Sequence, residues 1–285
     1  MPTITEIDRR HAVYYESILG AIFEIYQLSG IMGVGLFDLY RENILKAWSW
    51  AIDRSTVNID AAGLCISFPL DRSELFSLRM EPAQLLNKLQ GSVACASKQN
   101  DHRSTGRLLR EMGDIYALNG QPEQSLACYQ RSEKLCRETG DKEGEAMALG
   151  GQGKSHTQLQ NFDAAIAQLQ HSLELSKEIE MANGEADTLS SLGAAYLHLD
   201  RAEQAASSYE QALAIYRKTD HYKGEAVALC GLGDARLALG QLDEADKLLN
   251  EALILFRQMF DRHGESRVLS SLASAGRRAK TTVKS

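Results

Sequence analysis

Proline is scarce, with four in 285 residues, so little in the chain interrupts helices, where a proline would remove an amide donor and clash with the preceding turn. Charge of one sign is equally short: 31 Lys and Arg against 38 Asp and Glu leave a formal net charge of -7. That balance argues against nucleic acid as a partner, because phosphate neutralisation needs a clustered positive surface. The five cysteines, Cys65, Cys95, Cys128, Cys136 and Cys230, are odd in number and show neither C-x-x-C nor Cys/His ligand spacing. They read as packed, reduced thiols rather than a disulfide frame or a zinc site, and no metal or cofactor is expected. No long uninterrupted apolar run occurs. The most apolar stretch, "HAVYYESILGAIFEIYQLSGIMGVG", carries Glu16, Glu24 and Gln27, too polar for a bilayer span, and no basic segment with a small-residue cleavage site precedes it. No membrane partner is expected, and the reading is a cytoplasmic chain of one or two units, globular or solenoid rather than disordered.

What the chain has is a repeat. From about residue 101 onward, "KGEAVALCGLGDARLALGQLDEA" from Lys223 falls without a gap under "NGEADTLSSLGAAYLHLDRAEQA" from Asn183 and "EGEAMALGGQGKSHTQLQNFDAA" from Glu143, a period of 40 residues. An earlier copy starts at Arg103 and a partial fifth at His263. Leu109, Leu149, Leu189, Leu229 and Leu269 share a column; three residues on stand Met112, Gln152, Leu192, Leu232 and Leu272, the spacing of a buried helical stripe. Beside it run Gly113, Gly153, Gly193 and Gly233. Glycine in mid-helix costs up to about 1 kcal/mol relative to alanine, so its recurrence implies close approach by a second helix. Ser125, Ala165, Ala205 and Ala245 supply small residues in that second helix, followed by Tyr129, Leu169, Tyr209 and Leu249. Gly120 and Gly240 suit left-handed helix stops, and Pro122 a first helical position.

These residues resemble the tetratricopeptide repeat (TPR) signature. Its first half appears as "LSSLGAAY" at Leu189 to Tyr196 and its second as "AASSYEQA" at Ala205 to Ala212. The resemblance implies an all-α fold, a right-handed α-solenoid of helical hairpins. Each repeat has six residues more than the usual 34, placed after the second-helix alanine column, which predicts a second helix and loop longer by up to about 9 Å. The array occupies 101–278, four repeats plus a cap helix, with a helical N-terminal arm or capping region holding a degenerate repeat at 1–100 and a basic tail at 279–285.

In the arm, Tyr14, Ile18, Ile22 and Tyr26 share one helical face, as do Leu36, Tyr40, Ile44 and Trp48, with "SGIMGVG" as the turn between them. Trp48 joins the apolar stripe; Trp50, two residues on, points elsewhere and is free to meet a neighbouring helix or a partner. This region resembles the arm that joins the ATPase module to the TPR array in signal-transduction ATPases with numerous domains, the class that includes NB-ARC and AP-ATPase regulators. The resemblance implies an arm and sensor without the ATPase module, so ATPase activity does not carry over.

One motif competes with this reading. "ALGGQGKSH", Ala148 to His156, matches the relaxed phosphate-loop pattern, which would make the chain a nucleotide-binding hydrolase through Ala148–Ser155. A phosphate loop needs a strand feeding free amides at a helix N-terminus. Here Gly153 is the packing glycine of its repeat and "DKEGEAM" precedes it, so the stretch is expected inside a helix. His156 takes the place of Tyr116 and Tyr196 and is expected to be a satisfied packing histidine. The tail from Arg277 carries four positive groups and no acid, the feature that would serve a nucleic-acid-binding transcriptional regulator.

The expected function is therefore a non-catalytic scaffold or adaptor that binds a protein or peptide partner in the groove lined by the first helices, as the sensor part of a regulatory system. Candidate groove groups are Arg107, Arg110, Asp114, Lys154, Asp187, Asp234 and Arg236, with Thr157, Leu197 and Leu237 further along the same helices. The lysine–asparagine clamp for a C-terminal carboxylate is absent from these columns. A homo-oligomer stays open, since terminal faces of repeat arrays self-associate while the polar last helix reads as a cap.

Overall fold

The computed structural model describes residues 4–259 and 261–282, with side chains placed from 6 to 275 apart from 260. Every regular element among the described residues is a helix, the all-α, hairpin-built solenoid class expected. The chain divides into two compact units, 1–144 and 145–285.

Unit 1 holds α1 (Ile4–Leu28), α2 (Gly30–Arg54), α3 (Ile59–Ser67), α4 (Ser73–Ser77), α5 (Pro82–Lys98), α6 (His102–Leu118) and α7 (Pro122–Thr139). The "SGIMGVG" turn is shorter than its composition suggests: only Ser29, with extended backbone, separates α1 from α2. Gly33 makes this possible, because a β-carbon there would overlap the Tyr26 backbone. The α1 face is also rotated from the expected one. Ala12, Leu19 and Ile22 are buried, whereas Tyr14 is 56% exposed. Trp48 is fully buried, its ring 5.0 Å from that of Phe76 in a core that also holds Phe37, Leu85 and Leu89, and its indole N–H donates to Ser92 Oγ at 3.1 Å.

In the N-terminal region, helix α5 shares features with the second helix α7. Helix α5 sits 40 residues ahead of α7, with Pro82 matching Pro122 at the helix start and Ser92 matching Ser132. Both serines close the same kind of bond from second helix to first: Ser92 Oγ to the Cys65 carbonyl at 2.5 Å and Ser132 Oγ to the Gly106 carbonyl at 2.8 Å. Ser172 repeats it to the Ala146 carbonyl at 2.8 Å.

Unit 2 takes in α8 (Lys142–Gln158), which starts at the unit boundary, then α9 (Phe162–Glu178), α10 (Ala182–His198), α11 (Ala202–Lys218), α12 (Tyr222–Ala238), α13 (Leu242–Gln258) and α14 (Arg262–Thr282). Helices α8 to α13 are all 17 residues long. The six extra residues are thus not confined to the second helix; each repeat is two equal half-repeats of 20 residues. Left-handed residues stop the helices at that interval: Asn100, Gly120, Gly140, Gln160, Glu180, Asp200, Asp220 and Gly240 all have positive φ. Glycine takes this conformation freely; Asn and Asp tolerate it better than most residues.

The glycine column does more than let backbones approach. A β-carbon at Gly113 would lie 2.9 Å from the Tyr129 ring, at Gly193 2.7 Å from Tyr209, and at Gly233 2.7 Å from Leu249; Gly153 faces Leu169 more closely still. Each glycine is the socket for the large residue of its partner helix, while the small column brings the helices near enough to seat it. Leu269 departs from its column: it is 45% exposed, and Val268 is buried instead, in the helix that packs on α12 and α13. Side chains capping the first helices recur as well. Asp101, Asp141, His221 and Asp261 each accept the amide three residues on, and Met181 in the same column cannot.

Candidate functional site

Helix α10 touches α12, α12 touches α14, and Gly150 of α8 faces Thr188 of α10, so the first helices of unit 2 lie side by side. The candidate residues of unit 2 divide on the face these helices present. Lys154 is exposed and pairs with no described carboxylate. Thr157, one turn on, returns its hydroxyl to the Gly153 carbonyl at 3.0 Å and is half-buried. Asp187 is exposed, with Oδ1 accepting the Tyr216 hydroxyl of α11 at 2.5 Å. That contact and burial, burial foremost, push the Tyr216 phenol pKa up. Asp234 is half-buried, and burial raises its carboxyl pKa against the opposing pull of the Ser271 hydroxyl and the Arg267 guanidinium. Arg267 is itself tethered, Nε donating to Cys230 Sγ at 3.3 Å. Leu197 is half-buried, whereas Leu237 is 5% exposed and belongs to the core.

Arg236 points away from this face. Its guanidinium pairs with Glu210 of α11, donates to Gln241 Oε1 at 2.8 Å and lies 3.5 Å from Glu244 of α13. It therefore braces neighbouring hairpins. The sequence carried the sign of this, since Arg236 stands 40 residues beyond Tyr196 and 80 beyond His156, in the column that faces the second helix. His156 is inside that packing as expected, but its Nδ1 is buried without a partner, and burial lowers its pKa.

In unit 1 the remaining candidates lie on α6. Arg107 forms an ion pair with Asp71 of the α3–α4 loop, so it is committed within the unit. Asp114 is exposed and accepts the Tyr129 hydroxyl at 2.6 Å. Arg110 is half-buried on the same helix. Sequence reasoning missed Glu111 between them. This carboxyl is 7% exposed, accepts the Asp71 amide at 2.6 Å through Oε1, and leaves Oε2 buried without a hydrogen bond. The only available signal was a charged residue in a column otherwise filled by Gly151, Ser191, Gly231 and Ser271.

The phosphate-loop motif lies inside α8, as about two of its turns. Its amides serve the helix, Ser155 is buried with its hydroxyl on the Gly151 carbonyl at 3.0 Å, and Gly153 receives Leu169. The five cysteines are all buried, and none is joined in a disulfide. Among the described residues no group of three or more His, Cys, Asp or Glu is placed to hold a metal, and no helix is long and apolar enough to cross a membrane. The basic side chains from Arg277 lie outside the described side chains, although the α14 backbone continues to Thr282.

The sequence profile of the tetratricopeptide repeat family matches residues 104–178 and 184–276, more than half the chain. The chain belongs to the tetratricopeptide repeat family. Proteins of this family bind protein or peptide partners, and the array described above is of that interaction-scaffold kind. A search of curated proteins by sequence finds no match. Among solved structures the chain resembles aspartyl phosphate phosphatase F from Bacillus subtilis, with a TM-score of 0.65 at 12% identity, covering 100% of this chain and 83% of that one. It also resembles a Rap protein complexed with competence and sporulation factor, with a TM-score of 0.64 at 12% identity over 95% of this chain and 88% of that one. A signal-transduction ATPase with numerous domains and a TPR sensor, from Pyrococcus horikoshii, aligns with a TM-score of 0.60 at 15% identity, covering 89% of this chain and 45% of that one. At these identities the likeness shows the fold.

Proposed function

We propose that the chain is a non-catalytic TPR adaptor whose first-helix face in unit 2 binds a protein or peptide segment as the sensing part of a regulatory system. The carrying observation is the state of the charges on that face. Asp187 is held in place by the Tyr216 hydroxyl, and Asp234 lies beside Ser271. Lys154 stands exposed and unpaired with any described carboxylate. Fixed carboxylates and a free cation flanking Leu197 suit a segment that presents charge of both signs around an apolar residue. The structural relative solved with competence and sporulation factor supports a ligand-binding role for arrays of this kind. The N-terminal arm at 1–100 and the tail at 279–285 serve in this reading as a capping region and a solubilising end.

The test is affinity purification from native extract with the wild-type chain and with Lys154→Glu/Asp187→Lys, circular dichroism confirming equal helicity. We expect a co-purifying partner whose recovery falls at least tenfold with the double variant. Unchanged recovery would remove this face as the binding site.

A further inference from the structure

A groove in unit 1 runs between α2 and the segment formed by α4, the following turn and α5. Its larger part, about 880 Å³, is lined by Leu45, Ser49, Trp50, Arg54, Val57 and Lys88. A second part of about 540 Å³ continues it past Arg41, Leu78, Arg79 and Gln84, and the two share Glu42 and Leu45. At 1.5 Å per residue the α2 wall from Arg41 to Arg54 is about 20 Å long, between three and four turns of a helix laid along it.

The polar floor of this groove is rich in donors. Lys88 Nζ donates to Ser49 Oγ at 2.5 Å and to the Leu45 carbonyl at 3.4 Å, and it stands 5.3 Å from the centre of the Trp48 ring. An ammonium has three donors, so one remains. Trp50 Nε1, also at the groove, is buried with no acceptor. Burial lowers the Lys88 pKa while the Asp53 carboxylate opposes it, so desolvation makes the ammonium the costly group of the floor. Around it Arg41, Lys46 and Arg54 pair with no described carboxylate, and Arg79 pairs with Asp38. The acids, Glu42, Asp53 and Glu81, all stand exposed on the rim. Leu45, Leu78 and Val57 offer apolar contact, the last two exposed.

We infer that this α2/α5 groove is a docking site for an acidic, amphipathic segment of a protein partner, its apolar side chains seated on Leu45, Trp50 and Val57 and a carboxylate received by Lys88. A half-buried ammonium with a donor to spare, flanked by Lys46 and Arg54 that pair with no described carboxylate, favours an anionic guest, and the length and apolar walls suit a segment rather than a free ion. The groove lies on helices other than those of the unit 2 face, so it extends the reach of the protein beyond the proposed TPR ligand.

The test uses the full chain labelled with 5-fluorotryptophan. Its two tryptophans give two fluorine resonances: Trp50, assigned through Trp50→Phe, reports the groove, and Trp48 reports the fold. The probes are three 16-residue peptides: leucine and glutamate at helical spacing, leucine and lysine at the same spacing, and serine with glutamate. We expect the leucine–glutamate peptide to shift the Trp50 resonance while Trp48 stays in place, and Lys88→Met to weaken that response at least tenfold. Should Lys88→Met disturb the Trp48 resonance, Lys46→Glu/Arg54→Glu on the rim replaces it, with a loss of severalfold expected. The inference is overturned by no Trp50 shift, by an equal response to the lysine peptide, or by a response to free glutamate at matched carboxylate concentration. A Trp50 shift produced by raising the protein concentration alone would assign the groove to a second copy of the chain and overturn it equally.

Discussion

Glu111→Gln should make unit 1 more stable at neutral pH and remove much of its pH dependence. The wild-type carboxyl is buried on α6, and burial pushes its pKa up to about 8 from an ordinary 4.5. The Asp71 and Asp114 carboxylates act in the same direction; the Asp71 amide and the Ser73 hydroxyl resist it. A carboxyl whose folded pKa is raised keeps a proton that the unfolded chain releases. Its contribution is therefore complete below about pH 4.5, falls as pH rises through the window to about 8, and is lost above it. At about 1.4 kcal/mol per unit, the fall between pH 4.5 and 7 is roughly 3 kcal/mol. Glutamine keeps the oxygen that accepts the Asp71 amide and has no charge to desolvate. Urea denaturation followed by tryptophan fluorescence isolates this unit, because Trp48 and Trp50 both lie in it. The variant should match wild type at pH 5 to within about 1 kcal/mol and exceed it by roughly 2–3 kcal/mol at pH 7.5. A difference between the two that does not change with pH would refute the assignment of a protonated native Glu111.

Other substitutions separate packing from propensity. Gly231→Ala drives a β-carbon into the Tyr209 ring and should cost about 1–3 kcal/mol, whereas Gly35→Ala in α2 meets open space and should gain about 0.5–1 kcal/mol, both read by chemical denaturation. Asp261→Ala removes the acceptor for the Gly264 amide, 2.9 Å away, and should lower stability by about 1 kcal/mol, seen as a lower Tm for the C-terminal hairpin. Tyr216→Phe frees Asp187 and should cost about 1 kcal/mol in the same assay.

Most of the array was legible because each packing contact repeats. Gly193 against Tyr209 and Gly233 against Leu249 are one solution written twice, and a column of glycines cannot be explained by propensity. The turns were half legible. Gly120 and Gly240 announced left-handed stops, but Gln160 and Glu180 adopt the same conformation without any compositional sign, held there by the helices on either side. The likeness of α5 to α7 was harder to see because α3 is short and α4 interrupts the path to α5. Only the 40-residue spacing of Pro82 to Pro122 and Ser92 to Ser132 betrays it. On the candidate face, residue type told which groups are charged but not which are occupied. Arg107 and Arg236 are consumed by ion pairs with partners 36 and 26 residues away, at separations that no local pattern encodes.

The repeat also constrains what the unit 2 face can bind. Packing fixes the glycine, small and aromatic columns, so variation falls on the remaining columns, and in one of these an exposed Lys154 and the half-buried Ala194 and Asp234 occupy successive first helices. Neighbouring helices in direct contact lie about 8–10 Å apart, so the cation and the carboxylate are separated by roughly 18 Å across two steps. An extended chain advances about 3.3 Å per residue, which places complementary charges about five or six residues apart in a ligand that spans them, an acid opposite Lys154 and a base opposite Asp234. Once a partner segment is in hand, Lys154→Glu should weaken binding and a lysine in place of the ligand acid should restore it. The same restoration obtained by moving the lysine one or two positions along the ligand would show that the segment does not cross the face in extended form.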